Sequence, residues 1–205
     1  MDISMIVPTS TGAANIPELV TRIGAAVTRF ETEIVCVGDS TDDTPRAIAR
    51  AIAQVDSRTD VYPLHRKKPA RELSGAVVTG IRKGTADGAI VMDRDLQYPP
   101  KMMPVLVTAG KATGADVVIG SRHAQAGSSA GLDGSARAIA SLGAEVLAWA
   151  MFPLKLSSYS DPMTGLFAAR RASFLAALRF GCLSGFPVIG GLLSPADRGR
   201  PTAQL

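Results

Sequence analysis

Short apolar, β-branched runs punctuate the first 120 positions, at residues 3–7, 33–37, 60–64, 89–92 and 116–119, and each is followed by a helical pattern or a long loop. Such alternation predicts an α/β fold, a mostly parallel sheet wrapped by helices. Asn15 reads as a helix cap with Glu18 in the reciprocal position, and Ile16, Leu19, Val20 and Ile23 repeat at helical spacing along one face. Thr44 followed by Pro45 reads as an N-cap with proline at the first helical position, opening a helix through Ile48 and Ile52. A third helix is predicted over residues 73–83 and a fourth from Pro100 to Gly110.

Beyond Gly120 the texture changes. Residues 124–134 are rich in Gly, Ser and Ala and read as a loop. Residues 135–156 form an apolar helical segment with Trp149, Met151 and Phe152, interrupted at Pro153. It reads as a core helix or as a helix lying in a membrane interface, where Trp149 and Lys155 suit the headgroup boundary. The longest apolar stretch, residues 174–193, holds Arg179, Pro187 and several Gly and Ser positions, which argues against a membrane-spanning helix. The last dozen residues are rich in Pro, Gly and Arg and are expected to be disordered. No internal repeat is visible.

At 205 residues and 46% hydrophobic content the chain can bury one good core. The expectation is one domain over residues 1–180, with 181–205 a divergent, disordered tail. The 22 basic and 18 acidic residues, net +4, are scattered rather than massed. That disfavours nucleic acid as the partner and suits phosphorylated small molecules or an anionic membrane face. Cys36 lies in an apolar run and Cys182 in a Gly-rich stretch, with no metal-knuckle or redox spacing, which suggests a reducing compartment. The N-terminus enters a strand at once, without the basic and apolar regions of a secretory signal.

The candidate chemistry centres on Asp93-Arg94-Asp95-Leu96-Gln97-Tyr98-Pro99-Pro100, where an apolar run ends in two carboxylates one residue apart, an amide and a proline pair. Hard cations such as Mg²⁺ and Mn²⁺ prefer these oxygens and leave positions that a diphosphate can fill. A strand ending in an ordinary polar turn would read the same way. Context favours the site: in open α/β sheets ligands bind beyond the carboxyl ends of the strands, and Pro8-Thr9, Asp39 and Asp93 all fall at such ends. No Gly-x-Gly-x-x-Gly turn follows the first strand, which argues against a dinucleotide-binding enzyme.

With these segments placed, the chain resembles family 2 glycosyltransferases, in particular the polyprenyl-phosphate mannosyl- or glucosyltransferases akin to dolichol-phosphate mannose synthase. The resemblance covers about residues 2 to 172 and rests on ordered blocks. These are Ile6-Val7-Pro8-Thr9, Glu33-Ile34-Val35 leading into Asp39-Ser40-Thr41-Asp42-Asp43-Thr44, Leu73-Ser74-Gly75-Ala76, the Asp93–Pro100 stretch, Val118-Ile119-Gly120-Ser121-Arg122, and Ser160-Asp161-Pro162-Met163-Thr164-Gly165-Leu166-Phe167.

The resemblance implies a GT-A fold, a nucleotide-sugar donor such as GDP-mannose or UDP-glucose, and a polyprenyl phosphate acceptor. It places Pro8, Thr9, Asp39 and Asp93 at the nucleotide, and Asp93, Asp95 and Gln97 around Mg²⁺ or Mn²⁺. An acceptor phosphate is already anionic near neutral pH, so it needs position and charge neutralisation more than a base, which suits Arg122, Arg137, Arg170 and Arg171. Asp161 would orient a sugar hydroxyl or the acceptor, and with Arg122 forms the expected catalytic pair, although an Asp before a Pro is also a common turn residue. His65 and His123 read as structural or surface residues. The implied location is cytoplasmic, peripheral to the membrane face.

Departures from the family pattern are specific. Ser10-Thr11-Gly12 replaces an aromatic-Asn-Glu, Gly38 stands where the first of two acids is usual, and Arg94 sits between the metal-binding carboxylates. A guanidinium turned inward there would compete with the cation. Past Arg171 the family's acidic helix and basic loop are not recognisable, and the tail reads as a truncated or frame-shifted product. The alternative function is therefore an impaired relative that binds a nucleotide-sugar or a partner without turnover.

Overall fold

All seven residues of the first strand, β1 (Ile3–Thr9), are buried, as expected of a strand covered on both faces. The computed structural model describes residues 1–9, 14–38, 43–53, 58–66, 72–94, 97–120, 165–179 and 202–204. Among them the elements follow as α1 (Ile16–Ala26), β2 (Thr32–Gly38), α2 (Thr44–Ile52), β3 (Thr59–His65), α3 (Glu72–Lys83), β4 (Gly88–Met92), α4 (Met102–Thr113), β5 (Val117–Ile119), β6 (Leu166–Arg170), α5 (Arg171–Arg179) and β7 (Thr202–Gln204). They build one seven-stranded sheet of order β3-β2-β1-β4-β6-β5-β7. β1, β2, β3 and β4 pair in parallel, whereas β6 runs antiparallel to both β4 and β5.

The alternation of side chains along each strand divides the core into two layers. Ile3, Met5 and Val7 of β1 pack with Ile16, Leu19 and Ile23 of α1, Ile48 of α2 and Leu106 of α4. Ile6 packs on the other face with Val77 and Ile81 of α3 and Phe174 of α5. Each such fully buried side chain contributes about 1.5–3 kcal/mol. Close approach of α3 depends on Gly80, where a Cβ would strike the Ile6 side chain and lie 3.0 Å from Val37 Cγ2.

The five predicted strands all form. The helix starts differ from expectation. Asn15 precedes α1 in a right-handed conformation and makes no side-chain cap, because Pro17 removes one first-turn donor and Glu18 turns outward to Arg22 at 2.5 Å. The cap position of α2 belongs to Asp43 rather than Thr44, and its carboxylate is held by Arg46 at 3.4 Å and Arg50 at 3.0 Å instead of by the first-turn amides. Helix α4 runs past Gly110 to end at Gly114, whose φ of 66° provides the left-handed stop. Gly110 serves packing, since a Cβ there would sit 3.4 Å from Val118 Cγ2.

Two strands were not foreseen. β6 is short and Ala-rich, a composition with little β propensity. β7 lies within the segment read as disordered, where Thr202–Gln204 pair in parallel with β5. An open sheet edge recruits backbone groups with little regard to side chains. Among the described residues no helix is long and apolar enough to cross a membrane. The predicted loop at 124–134 and helix at 135–156 lie outside the described residues.

Candidate active site

Parallel pairing brings the carboxyl ends of β1, β2 and β4 to one edge of the sheet. Thr9 stands opposite Gly38, and Ile6 opposite Val91, so Pro8 and Asp93 leave neighbouring strands together. Because β6 is reversed, its amino end arrives at this same edge. The Asp93 N–H donates to the Gly165 carbonyl at 3.0 Å, and the Gly120 N–H donates to the Leu166 carbonyl at 3.0 Å. Arg66, at the end of β3, donates its backbone N–H to the Gly38 carbonyl at 2.8 Å.

At the β1–β2 corner, Thr9 is 1% exposed and its buried hydroxyl has no hydrogen-bond partner among the described residues. A Cβ on Gly38 would collide with the Thr9 carbonyl and lie 2.6 Å from Thr9 Oγ1. The space an acidic side chain at position 38 would need is thus already filled by β1.

At the β4 end, Asp93, Arg94 and Gln97 are half-buried and Tyr98 is buried in the core layer that also holds α1 and α4. Tyr98 anchors the far side of the motif in the core. The Pro99 and Pro100 carbonyls then accept the Met102 and Met103 N–H groups at 2.9 and 3.0 Å, which turns the chain into α4. The motif is thus fixed at its Asp93 end by β6 and at its Tyr98–Pro100 end by the core and α4. Gly165 completes it: a Cβ there would fall on the Asp93 carboxylate, 2.5 Å from Cγ.

The Asp93 carboxylate and the Gln97 amide are hard oxygen donors on one short, pinned segment, which is the donor chemistry a divalent cation takes. Among the described residues no three His, Cys, Asp or Glu side chains converge, and the second carboxylate, Asp95, lies outside them. Asp39, Arg122, Arg137 and Asp161 also lie outside the described residues, as do His123 and Cys182.

Arg170 and Arg171, expected at the acceptor phosphate, are not brought to this end of the sheet. They close β6 at the opposite edge, where Arg170 stands across from Gly88, the first residue of β4. Arg170 Nε lies 3.5 Å from Asp116 Oδ1. Arg171 donates from Nε to the Ile81 carbonyl at 2.9 Å and from Nη2 to the Arg82 carbonyl at 3.2 Å, satisfying the last turn of α3. The reversal of β6 is the reason: residues four or five positions past Gly165 are carried the length of the strand away from the motif. The same far edge holds a cavity of about 540 Å³ with a mixed rim of Asp2, Asp87, Lys111 and Arg170.

His65 is exposed, as expected. Cys36 is free and buried, and desolvation pushes its thiol up to about 12. Sequence reasoning assigns Gly165 and Tyr98 no role. The usable signals were a glycine directly before an apolar run, and an aromatic between the polar motif and the proline pair.

Residues 4–170 match the family model described as glycosyl transferase family 2. The chain is 34% identical over 171 residues to a dolichol-phosphate mannosyltransferase of Pyrococcus furiosus, covering 83% of this chain and 47% of that one. It is 32% identical over 197 residues to a dolichol-phosphate mannosyltransferase of Mycosarcoma maydis, covering 93% and 64%. The chain thus spans about half to two thirds of the length of these relatives. Among solved structures, glucosyl-3-phosphoglycerate synthase of Mycobacterium tuberculosis in complex with Mg²⁺ and UDP superposes with a TM-score of 0.69 at 21% identity, covering 99% of this chain and 68% of that one. The fold is GT-A.

Proposed function

The chain belongs to glycosyltransferase family 2, and from that premise we propose that it transfers a hexose, mannose or glucose, from a nucleotide-sugar to a polyprenyl phosphate, with inversion and with Mg²⁺ or Mn²⁺. The observation that carries this reading is the meeting of Thr9, Gly38, Asp93 and Gly165 at one sheet edge. The two relatives named as dolichol-phosphate mannosyltransferases support the acceptor class.

In this reading Pro8, Thr9 and Asp39 face the nucleoside of GDP-mannose or UDP-glucose, and Asp93, Asp95 and Gln97 hold the cation. A bound cation would neutralise charge on the departing nucleoside diphosphate. An oxygen of the acceptor phosphate attacks the anomeric carbon from the face opposite the leaving group. The bond from that carbon to the diphosphate oxygen breaks, and its electron pair leaves with the nucleoside diphosphate. Since the attacking oxygen is already anionic, no proton need be removed, and the protein's work is alignment. Arg122 and Arg137 are the remaining cations proposed for the acceptor and diphosphate, and Asp161 the residue that orients acceptor or sugar. A polyprenyl acceptor sets the reaction at a membrane surface, with peripheral contact on the cytoplasmic face.

A second reading, a relative that binds nucleotide-sugar without turnover, is favoured by Gly38, whose surroundings leave no room for the acid usual there. Incubation with Mn²⁺ or Mg²⁺, labelled GDP-mannose or UDP-glucose and a short polyprenyl phosphate separates the two. Label in the lipid phase, lost in Asp93→Asn, is expected of the transferase. Donor binding without labelled lipid would establish the second reading instead.

A further inference from the structure

We infer that Gly165 is a positioning residue for Asp93: the amino end of β6 sets the orientation of the motif carboxylate through a backbone hydrogen bond and a side-chain-free gap that only glycine leaves. The inference rests on the proposed function only for its consequence, not for its geometry.

Two contacts define the relationship. The Asp93 N–H donates to the Gly165 carbonyl at 3.0 Å, extending the antiparallel β4–β6 ladder one step beyond the Met92–Leu166 pair. The Asp93 side chain then lies over the Gly165 Cα. A Cβ built on Gly165 would collide with Asp93 Oδ2 and lie 2.5 Å from Cγ and 3.1 Å from Cβ. Real Cβ atoms do not approach other heavy atoms so closely, so a side chain at position 165 must expel the carboxylate.

What position 165 requires is the absence of a side chain, and the atoms that impose this belong to Asp93. Met92 and Leu166, the residues just before and just after the contact, are 0% and 1% exposed, so the two backbones cannot drift apart to make room. The carboxylate, half-buried and one residue past the end of β4, is the part that gives way.

Hydrogen bonds and packing that orient a cation-binding carboxylate act on affinity through geometry, and losing one typically costs about 10- to 100-fold. Gly165→Ala is therefore expected to weaken Mn²⁺-dependent binding of UDP or GDP, read by calorimetry, by about 10- to 100-fold, while far-UV circular dichroism stays that of the wild type. The Ala methyl also crowds the carboxylate, so the thermal midpoint should drop by about 2–10 °C.

The deciding measurement is a double-mutant cycle on that midpoint. In an Asp93→Ala background the obstructing Cγ and carboxylate oxygens are gone, so Gly165→Ala should cost less than half of what it costs in the wild type. An equal cost in both backgrounds overturns the inference, and so does wild-type nucleotide affinity in Gly165→Ala. If Gly165→Ala alone does not fold, the double variant is expected to fold, and its failure to do so is equally decisive against the inference. Should the wild type bind neither UDP nor GDP with Mn²⁺, the proposed function fails while the thermal cycle still decides whether Gly165 and Asp93 are coupled.

Discussion

Glu33 Oε1 accepts the Ser4 hydroxyl at 2.5 Å, joining β2 to β1 through a carboxylate that is only 3% exposed. The same oxygen takes the Thr85 N–H at 2.5 Å, the Thr85 hydroxyl at 3.0 Å and the Ala86 N–H at 3.2 Å, so it also fastens the turn that feeds β4. Burial raises the pKa of this group, but the bonds from Ser4, Thr85 and Ala86 outweigh it and the net shift is downward from 4.5. A carboxyl held below its unfolded value stabilises the fold above that unfolded value and loses the contribution as pH falls through the folded one.

Glu33→Ala is accordingly expected to lower stability by about 2–4 kcal/mol at pH 7, because the donors from two segments lose a charged acceptor. Glu33→Gln should lose less. Below about pH 4.5, where the ordinary glutamate titrates, the wild type should lose its advantage over Glu33→Gln progressively. Urea unfolding of both proteins between pH 7 and pH 3 measures this. A constant difference across that range would show that the charge of Glu33 does not matter.

The corner between Thr9 and Gly38 bears on whether the missing family acid can be restored. A side chain at position 38 meets the Thr9 carbonyl, which no change of residue 9 removes. Gly38→Ala should therefore destabilise by about 1–3 kcal/mol, as overpacking does, and Gly38→Asp should bind UDP or GDP more weakly than the wild type. Tighter nucleotide binding by Gly38→Asp, measured by calorimetry, would mean that the corner opens readily and that Gly38 is a simple loss.

Much of the fold is legible along the chain because β1, β2 and β4 are buried on both faces and so appear as mostly apolar runs. Their carboxyl ends could be marked for the same reason, which is how Thr9 and Asp93 were singled out. β6 escaped because Leu166-Phe167-Ala168-Ala169-Arg170 has too few β-branched or aromatic residues to announce a strand, and its antiparallel sense comes from sheet assembly. That reversal, invisible in the residue pattern, is what carries Arg170 and Arg171 to the end of the sheet away from Asp93. The caps at Asn15 and Thr44 misled because local spacing ignores competitors: arginines within one or two turns captured the Glu18 and Asp43 carboxylates.

Cys36 illustrates how burial decides reactivity. Its thiol, on β2, lies in the core layer shared with α1 and α2, and desolvation pushes it up to about 12. The thiolate is the reactive form, so almost none is present at pH 8. In a Cys182→Ser background, Ellman's reagent should report no accessible thiol on the native protein and one after guanidinium unfolding. Rapid labelling of the native variant would show that this face of the sheet opens.

The placement of Arg171 separates a structural cation from a ligand-binding one. Its guanidinium satisfies the Ile81 and Arg82 carbonyls at the end of α3, groups that would otherwise lack partners within the helix. Arg171→Met keeps the apolar stem but removes both bonds, and about 1–3 kcal/mol of stability should go with them. If the transferase reading holds, the KM for polyprenyl phosphate in Arg171→Met and in Arg170→Met should stay within about twofold of the wild type, less than the fivefold that even 1 kcal/mol would produce. The two measurements are independent, which makes the distinction sharp. A large rise in that KM with little change in unfolding midpoint would return both arginines to the acceptor phosphate and require the β6 edge to be in reach of it. Loss of stability with KM unchanged is the outcome the geometry requires, since these side chains lie a full strand length from Asp93.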